Sequence, residues 1–165
     1  MILSDVDGVL TDGTIGMDHA GDESKQFSTL DGFGIRMWFQ AGFQFGLITG
    51  RAGSCVLHRA KDLGIDIVRT GTFAKRESVV AIAHETGFSL DEIAYIGDDY
   101  PDLPAIRAVG LGVTVPHAPQ ELKNAAEYIT QLPGGYGAVR DVIAQIFKIK
   151  GIDPLGLLSD IQAKR

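Results

Sequence analysis

Three aspartates, Asp5, Asp7 and Asp12, fall within the stretch LSDVDGVLTDG, directly behind the first apolar residues and among glycines. Like charges gathered where a strand ends repel one another and lose hydration, so the arrangement is favourable only if something positive belongs there. Polar groups follow other apolar runs in the same way. ITGR places Thr49, Gly50 and Arg51 behind a second run, YIGDDYPD places Asp98, Asp99 and Asp102 behind a later one, and GTFAKRES sets Lys75 at the start of a helical segment. Each of these alone is an ordinary turn residue or helix cap. Jointly they supply two acidic clusters, a hydroxyl and an ammonium, and converging carboxylates with room for water and phosphate suit Mg²⁺. A carboxylate beside such an ion can attack phosphorus and form an acyl phosphate, provided another group protonates the leaving oxygen. On this reading Asp5 is the nucleophile, Asp7 the acid, and Thr49 and Lys75 orient the phosphoryl group and balance its charge.

Those groups act together only if the fold collects them. Short apolar runs at Ile2 to Asp5, Phe43 to Thr49, Asp66 to Arg69, Ile93 to Gly97, Leu111 to Val115 and Glu127 to Ile129 read as strands. They alternate with helical segments around Gly34 to Ala41, Ser54 to Leu63, Lys75 to Glu85 and Leu103 to Val109, the mark of an α/β fold with a parallel sheet. Such sheets bind ligands outside the carboxyl ends of their strands, where every group named above is expected to lie. In the last helix Val139, Val142, Ile143, Ile146 and Phe147 make one apolar stripe for the core. Residues 14–28, TIGMDHAGDESKQFS, carry a turn between two segments that can pair, which predicts a β-hairpin projecting from the sheet after strand one. The expected organisation is one domain over residues 1–150 and a tail over 151–165 with Gly, Pro and a weak final helix. Only Met1 to Ser4 precede Asp5, so strand one is expected to be short, with a few natural N-terminal residues missing.

The chain's 165 residues suit a single domain, and 45% hydrophobic content is enough for a substantial core. A net charge of -6 and a pI near 5.1 argue against nucleic-acid or membrane-surface binding, which needs a basic face, so an anionic ligand must find a local basic cluster. No run approaches the ~20 apolar residues of a membrane span, and the single Cys55 is compatible with a reducing compartment; cytoplasmic location is the expectation. The four histidines, His19, His58, His84 and His117, lack metal-ligand spacing, and Trp38 with Phe39 reads as packing on a helix.

DVDGVLTDG, ITGR, the lysine at 75 and GDDYPDLP resemble, in order and over most of the chain, the four motifs of the haloacid dehalogenase superfamily. DGFGIRM, HRAKDLGI and GGYGAVRDVI are similar to its small sugar-acid phosphatases of the 3-deoxy-D-manno-octulosonate 8-phosphate phosphatase type. The resemblance implies a capless Rossmann-like core with helices on both faces, and a hairpin that assembles a homotetramer whose neighbours help close each site. It implies Asp5 as nucleophile and Mg²⁺ ligand, and Asp7 as acid/base that also binds the ion through its carbonyl. It further implies Asp98 as the remaining metal ligand, Asp99 as a neighbouring metal position that binds the ion through water or holds the lysine, and Asp102 as a brace of the loop. Asp31, Gly32, Arg36, Gly50, Arg51, Arg59 and Lys75 match substrate-contacting positions. Leu30 and Tyr136 stand where the octulosonate phosphatases carry arginines, and neither can hold a sugar carboxylate through paired charged hydrogen bonds. A nonulosonate 9-phosphate or another sugar phosphate is therefore the alternative substrate. Two readings from other classes compete with the enzyme. A phospho-acceptor domain of the response-regulator kind would lack DxDGxxTDG, and a silent oligomerisation domain, like that of acylneuraminate cytidylyltransferases, would have lost the nucleophile, acid or metal ligands that are intact here.

Overall fold

Successive residues of a strand point to opposite faces of its sheet. In β1 (Ile2–Ser4) both Ile2 and Leu3 are apolar and fully buried, so the sheet needs cover on both sides. The computed structural model describes residues 1–163, with side chains described through residue 158. In chain order the strands after β1 are β2 (Gly16–Met17), β3 (Glu23–Ser24), β4 (Phe45–Ile48), β5 (Ile67–Arg69), β6 (Ala94–Gly97), β7 (Leu111–Thr114) and β8 (Tyr128–Ile129). The helices are α1 (Thr29–Gln40), α2 (Ser54–Leu63), α3 (Lys75–Thr86), α4 (Leu103–Ile106), α5 (Gln120–Ala125), α6 (Ala138–Lys150) and α7 (Pro154–Ala163).

Six strands form one parallel sheet in the order β5-β4-β1-β6-β7-β8. One apolar layer joins Ile2, Leu47 and Ile96 to Ile35 and Trp38 of α1, Val56 of α2 and the α6 stripe of Val139, Val142, Ile143 and Phe147, with Ile146 packed beside it. The opposite layer joins Leu3, Ile48 and Tyr95 to Val79 and Ile82 of α3, Ile106 of α4 and Leu122 of α5. The expected Rossmann-like sheet with helices on both faces is what the chain forms.

Several element bounds differ from the expected ones, each for a local reason. Helix α1 starts at Thr29 rather than Gly34, because Ser28 caps it by accepting from the Leu30 N–H. Gly32 and Gly34 do not break it. A Cβ on Gly34 would come within 3.0 Å of Arg140 Cδ, so this glycine permits the close approach of α1 and α6. Helix α4 is a single turn ending at Ile106 instead of Val109, and α5, too short and polar to show a stripe, has no counterpart among the expected helices. The final segment forms α7, and Ile152 and Leu157 pack against the α1 side of the core.

The predicted hairpin is present as the antiparallel pair β2 and β3, with Gly16 opposite Ser24 and Met17 opposite Glu23. Its turn is closed by Asp18, whose Oδ1 accepts from the N–H groups of Ala20 and Asp22.

Candidate active site

The strand order reverses between β1 and β6: from β1 the chain builds outward through β4 and β5, then returns to β1's other side for β6, β7 and β8. Crossovers leave on opposite faces there, which opens a crevice at the carboxyl ends. Asp5 follows β1 and Asp98 follows β6, on either side of that reversal. The Asp5 N–H still bonds to Ile96 O at 2.9 Å, fixing the carboxyl one residue beyond the strand.

The cleft has a volume of 320 Å³ and is lined by Asp5, Asp7, Thr49, Gly50, Arg51, Phe73, Lys75, Asp98, Asp99 and Asp102, among others. Lys75, buried at the first turn of α3, donates to Asp5 Oδ1 at 2.5 Å and to Ile48 O at 2.6 Å, and stands 3.4 Å from Asp102 Oδ1. Asp102 Oδ1 also accepts from the buried Tyr95 hydroxyl at 2.6 Å, while Oδ2 accepts from the N–H groups of Asp98 and Asp99. Asp102 thus braces the loop, as expected. Gly8 has φ +94° and lies so close to Asp98 that a Cβ there would meet its Oδ2 at 2.0 Å, which accounts for the glycine after Asp7. Thr49 donates from Oγ1 toward Asp7 Oδ2 at 3.4 Å and accepts from the Arg51 N–H at 3.2 Å.

One carboxylate oxygen from each of Asp5, Asp98 and Asp102 lies within 4.8 Å of the others. Burial raises the Asp5 carboxyl to about 6, helped by the Asp102 charge and opposed by Lys75. Burial likewise pushes Asp98 up to about 8, with the charges of Asp5, Asp102 and Asp99 adding to it. Oxygen donors that resist ionisation in each other's company fit a hard divalent cation, whose charge would reverse both effects. Asp99, expected in the metal set through water or against the lysine, lines the cleft, and its Oδ1 accepts from Tyr100 N–H at 2.8 Å and caps the turn Tyr100–Asp102. The close carboxylate trio contains Asp102 in its place.

The remaining candidates are divided. Gly50 and Arg51 line the cleft, whereas Gly32, Arg36 and Arg59 line a separate 210 Å³ hollow with Thr29, Phe33 and Leu63. There Arg59 bonds to Asp62 at 2.7 Å and lies over the Phe27 ring at 5.7 Å. Asp31 is buried between helices and accepts from the Arg140 N–H at 2.8 Å in the first turn of α6, so in this chain it braces a helix end rather than facing a substrate. Burial raises its carboxyl to about 6. The segment GGYG lies behind the Asp7 loop, with Gly135 N–H bonded to Val9 O at 3.0 Å, and a Cβ on Gly134 would strike Gly8 O at 1.8 Å. Leu30 and Tyr136 are exposed, and a Cβ on Gly137 would stand 3.6 Å from Leu30 Cδ1.

Sequence reasoning misses two groups. Lys25, from the hairpin, has a fully buried side chain and donates from Nζ to Asp7 Oδ1, while Glu23 grips the Arg51 guanidinium with both oxygens. Only the charged character of GDESKQF hints at them.

Residues 64–143 match the family of haloacid dehalogenase-like hydrolases. The 3-deoxy-D-manno-octulosonate 8-phosphate phosphatase of Haemophilus influenzae is 37% identical over 91% of this chain and 83% of its own length. That of Escherichia coli K12 is 36% identical over 92% of this chain and 80% of its own. Among solved structures, the Moraxella catarrhalis phosphatase in complex with magnesium ion, phosphate ion and KDO superimposes with a TM-score of 0.87 at 41% identity, over 89% of this chain and 84% of that one. The cobalt-bound Haemophilus influenzae enzyme gives a TM-score of 0.88 at 37% identity, over 91% and 88%.

Proposed function

The chain belongs to the haloacid dehalogenase-like hydrolases, among the 3-deoxy-D-manno-octulosonate 8-phosphate phosphatases, and we propose that it hydrolyses that phosphomonoester through an aspartyl phosphate. The observation that carries the reading is the meeting of Asp5, Lys75, Asp98 and Asp102 at the sheet's reversal, with Thr49 and Asp7 in the same cleft. Asp5 attacks phosphorus while the bond from phosphorus to the sugar oxygen breaks, and the Asp7 carboxyl protonates that oxygen as it leaves. In the second step water attacks the phosphoryl group, its proton passes to Asp7, and the bond to Asp5 breaks to release inorganic phosphate. Lys75 holds one Asp5 oxygen at 2.5 Å and fixes the direction of attack, and its charge offsets that on the phosphoryl oxygens. Thr49 lies within 3.4 Å of Asp7 and orients the phosphoryl group from the other side. Mg²⁺ is the cofactor; Asp5, Asp98 and the Asp7 carbonyl would hold it, with Asp102 and Asp99 close by, and when bound it would supply Lewis-acid neutralisation of the transferring group.

Arg36, Arg59 and Gly32 lie outside this cleft, and we assign their face to a neighbouring subunit's site in a homotetramer. The exposed Met17 of the hairpin and the exposed apolar side chains Leu30, Phe33, Leu132 and Tyr136 suit such burial. Light scattering tests the assembly, and a monomer at working concentration overturns it. No described helix is long and apolar enough to cross a membrane, and the net charge of -6 and single cysteine support a cytoplasmic enzyme free of nucleic acid.

The test is phosphate release with Mg²⁺ from octulosonate 8-phosphate, nonulosonate 9-phosphates, hexose phosphates and p-nitrophenyl phosphate, with Asp5→Asn as the blank. Preference for the octulosonate ester is expected. Preference for a nonulosonate ester would place the specificity with Leu30 and Tyr136, and release from none would overturn the reading.

A further inference from the structure

The hairpin of β2 and β3 puts two charged side chains onto the cleft. Lys25 keeps no exposed side-chain surface and spends its ammonium on Asp7 Oδ1, with Glu23 Oε2 at 3.8 Å. Glu23 in turn binds Arg51 Nε at 2.9 Å and 3.1 Å through its two oxygens. Arg51 closes the chain of contacts, since its N–H reaches Thr49 Oγ1 at 3.2 Å and Thr49 reaches Asp7 Oδ2 at 3.4 Å. The Asp7 carboxyl is therefore held from both sides, Oδ1 by the hairpin and Oδ2 by the loop after β4.

An ammonium removed from water loses several kcal/mol of hydration, so a fold keeps one buried only where a partner returns most of that. Asp7 sits on a loop beyond β1, with glycine following it, and among the described residues Lys25 is the one hydrogen-bond partner of its Oδ1. A proton donor one ångström out of place can lose a hundredfold in rate.

We propose that Lys25 is a positioning residue for the reaction, fixing the Asp7 carboxyl so that its other oxygen faces Thr49 and the leaving group. This rests on the phosphatase reading above, with Asp7 as the acid. Lys25 acts on expulsion of the ester oxygen and has no part in the attack by Asp5. Its contribution must therefore depend on how much the leaving group needs a proton: an alkoxide from a sugar needs one, whereas p-nitrophenolate does not.

The experiment compares kcat/KM, which reports steps through the first P–O cleavage, for octulosonate 8-phosphate and for p-nitrophenyl phosphate in wild type, Lys25→Met and Lys25→Arg. Lys25→Met should lose about tenfold to a hundredfold on the sugar ester and less than about threefold on the aryl ester, with Lys25→Arg recovering much of the difference. Lys25→Gln reads the same ratio if the methionine variant does not fold. Equal losses on both esters would show a merely structural hairpin and overturn the proposal, as would no loss on either. Wild type inactive on both esters would instead overturn the phosphatase reading beneath it.

Discussion

The two ends of the central sheet carry two concavities of opposite character. At the carboxyl ends the cleft holds 320 Å³ and gathers Asp5, Asp7, Asp98, Asp99 and Asp102 around Lys75. At the amino ends Met1, Trp38, Phe43, Ile93, Leu111, Ile146 and Ile149 line a larger, mostly apolar hollow of 490 Å³. Two of its charged groups are engaged: Glu92 accepts from Ser89 N–H and Oγ, and Lys150 lies over the Phe43 ring. The difference teaches that volume alone does not mark a site. Strands end at both edges, but only at the carboxyl edge does the reversal between β1 and β6 splay the connections apart and leave backbone and loop side chains facing one point. The amino edge serves packing, and its substitutions should alter stability without altering chemistry.

That contrast can be broken experimentally. The largest effect expected is at Asp5: Asp5→Asn should abolish phosphate release while leaving the melting temperature near or above that of wild type, because a buried, self-repelling charge is removed. Activity near wild type in that variant would remove Asp5 as nucleophile. Asp7→Asn should lower kcat by about 10²–10⁴-fold on the sugar ester, the range of a lost general acid, and a loss under tenfold would deny it that role.

A core substitution near the opposite edge should do the reverse. Trp38→Ala removes a buried ring stacked 5.9 Å from Phe147 and should cost about 3–5 kcal/mol in urea unfolding, with kcat per folded molecule within about twofold of wild type. A comparable fall in kcat would mean that the two edges are not separable.

The charge at the carboxyl edge also sets a pH dependence. Asp5 and Asp31 are raised to about 6 and Asp98 to about 8, against 3.8 for each unperturbed. Folded protein therefore holds protons that unfolded chain has released, so what these three groups contribute to the stability of metal-free protein is fully present below about pH 4 and is lost as pH rises toward 8. A fall of roughly 5 to 10 °C in Tm is expected over that span, with Mg²⁺ restoring the upper part and Asp98→Asn flattening it above pH 6. A Tm that rises from pH 4 to 8 without metal would deny these three carboxyls the leading share of the pH dependence. The smallest effect is expected at Ile149, which lines the amino-edge hollow yet is 83% exposed: Ile149→Ser should move stability by no more than about 0.5 kcal/mol and leave turnover unchanged.

Much of this was legible in the residues. Strand ends can be read from apolar runs, and Asp5, Thr49, Lys75 and Asp98 each follow one, so a parallel sheet necessarily presents them at one edge. The stripe Val139, Val142, Ile143 and Phe147 likewise states which way α6 must face. The start of α1 was hidden by Gly32 and Gly34, whose meaning depends on α6 lying against them, and α5 carries no periodic signal in QELKNA.

What the sequence determined by itself is which polar groups close the strands and the edge on which they stand, because strand periodicity and strand-end chemistry are local. What only the tertiary structure decided is which of them share one space. Lys25 reaches Asp7 across a fold-back of 18 residues, Asp102 rather than Asp99 joins the carboxylate trio because Asp99 caps its own turn, and Arg59 with Arg36 falls into a different hollow from Arg51. Those outcomes depend on loop dihedrals and on rotamers fixed by neighbours distant in the chain, and no spacing along the chain encodes them.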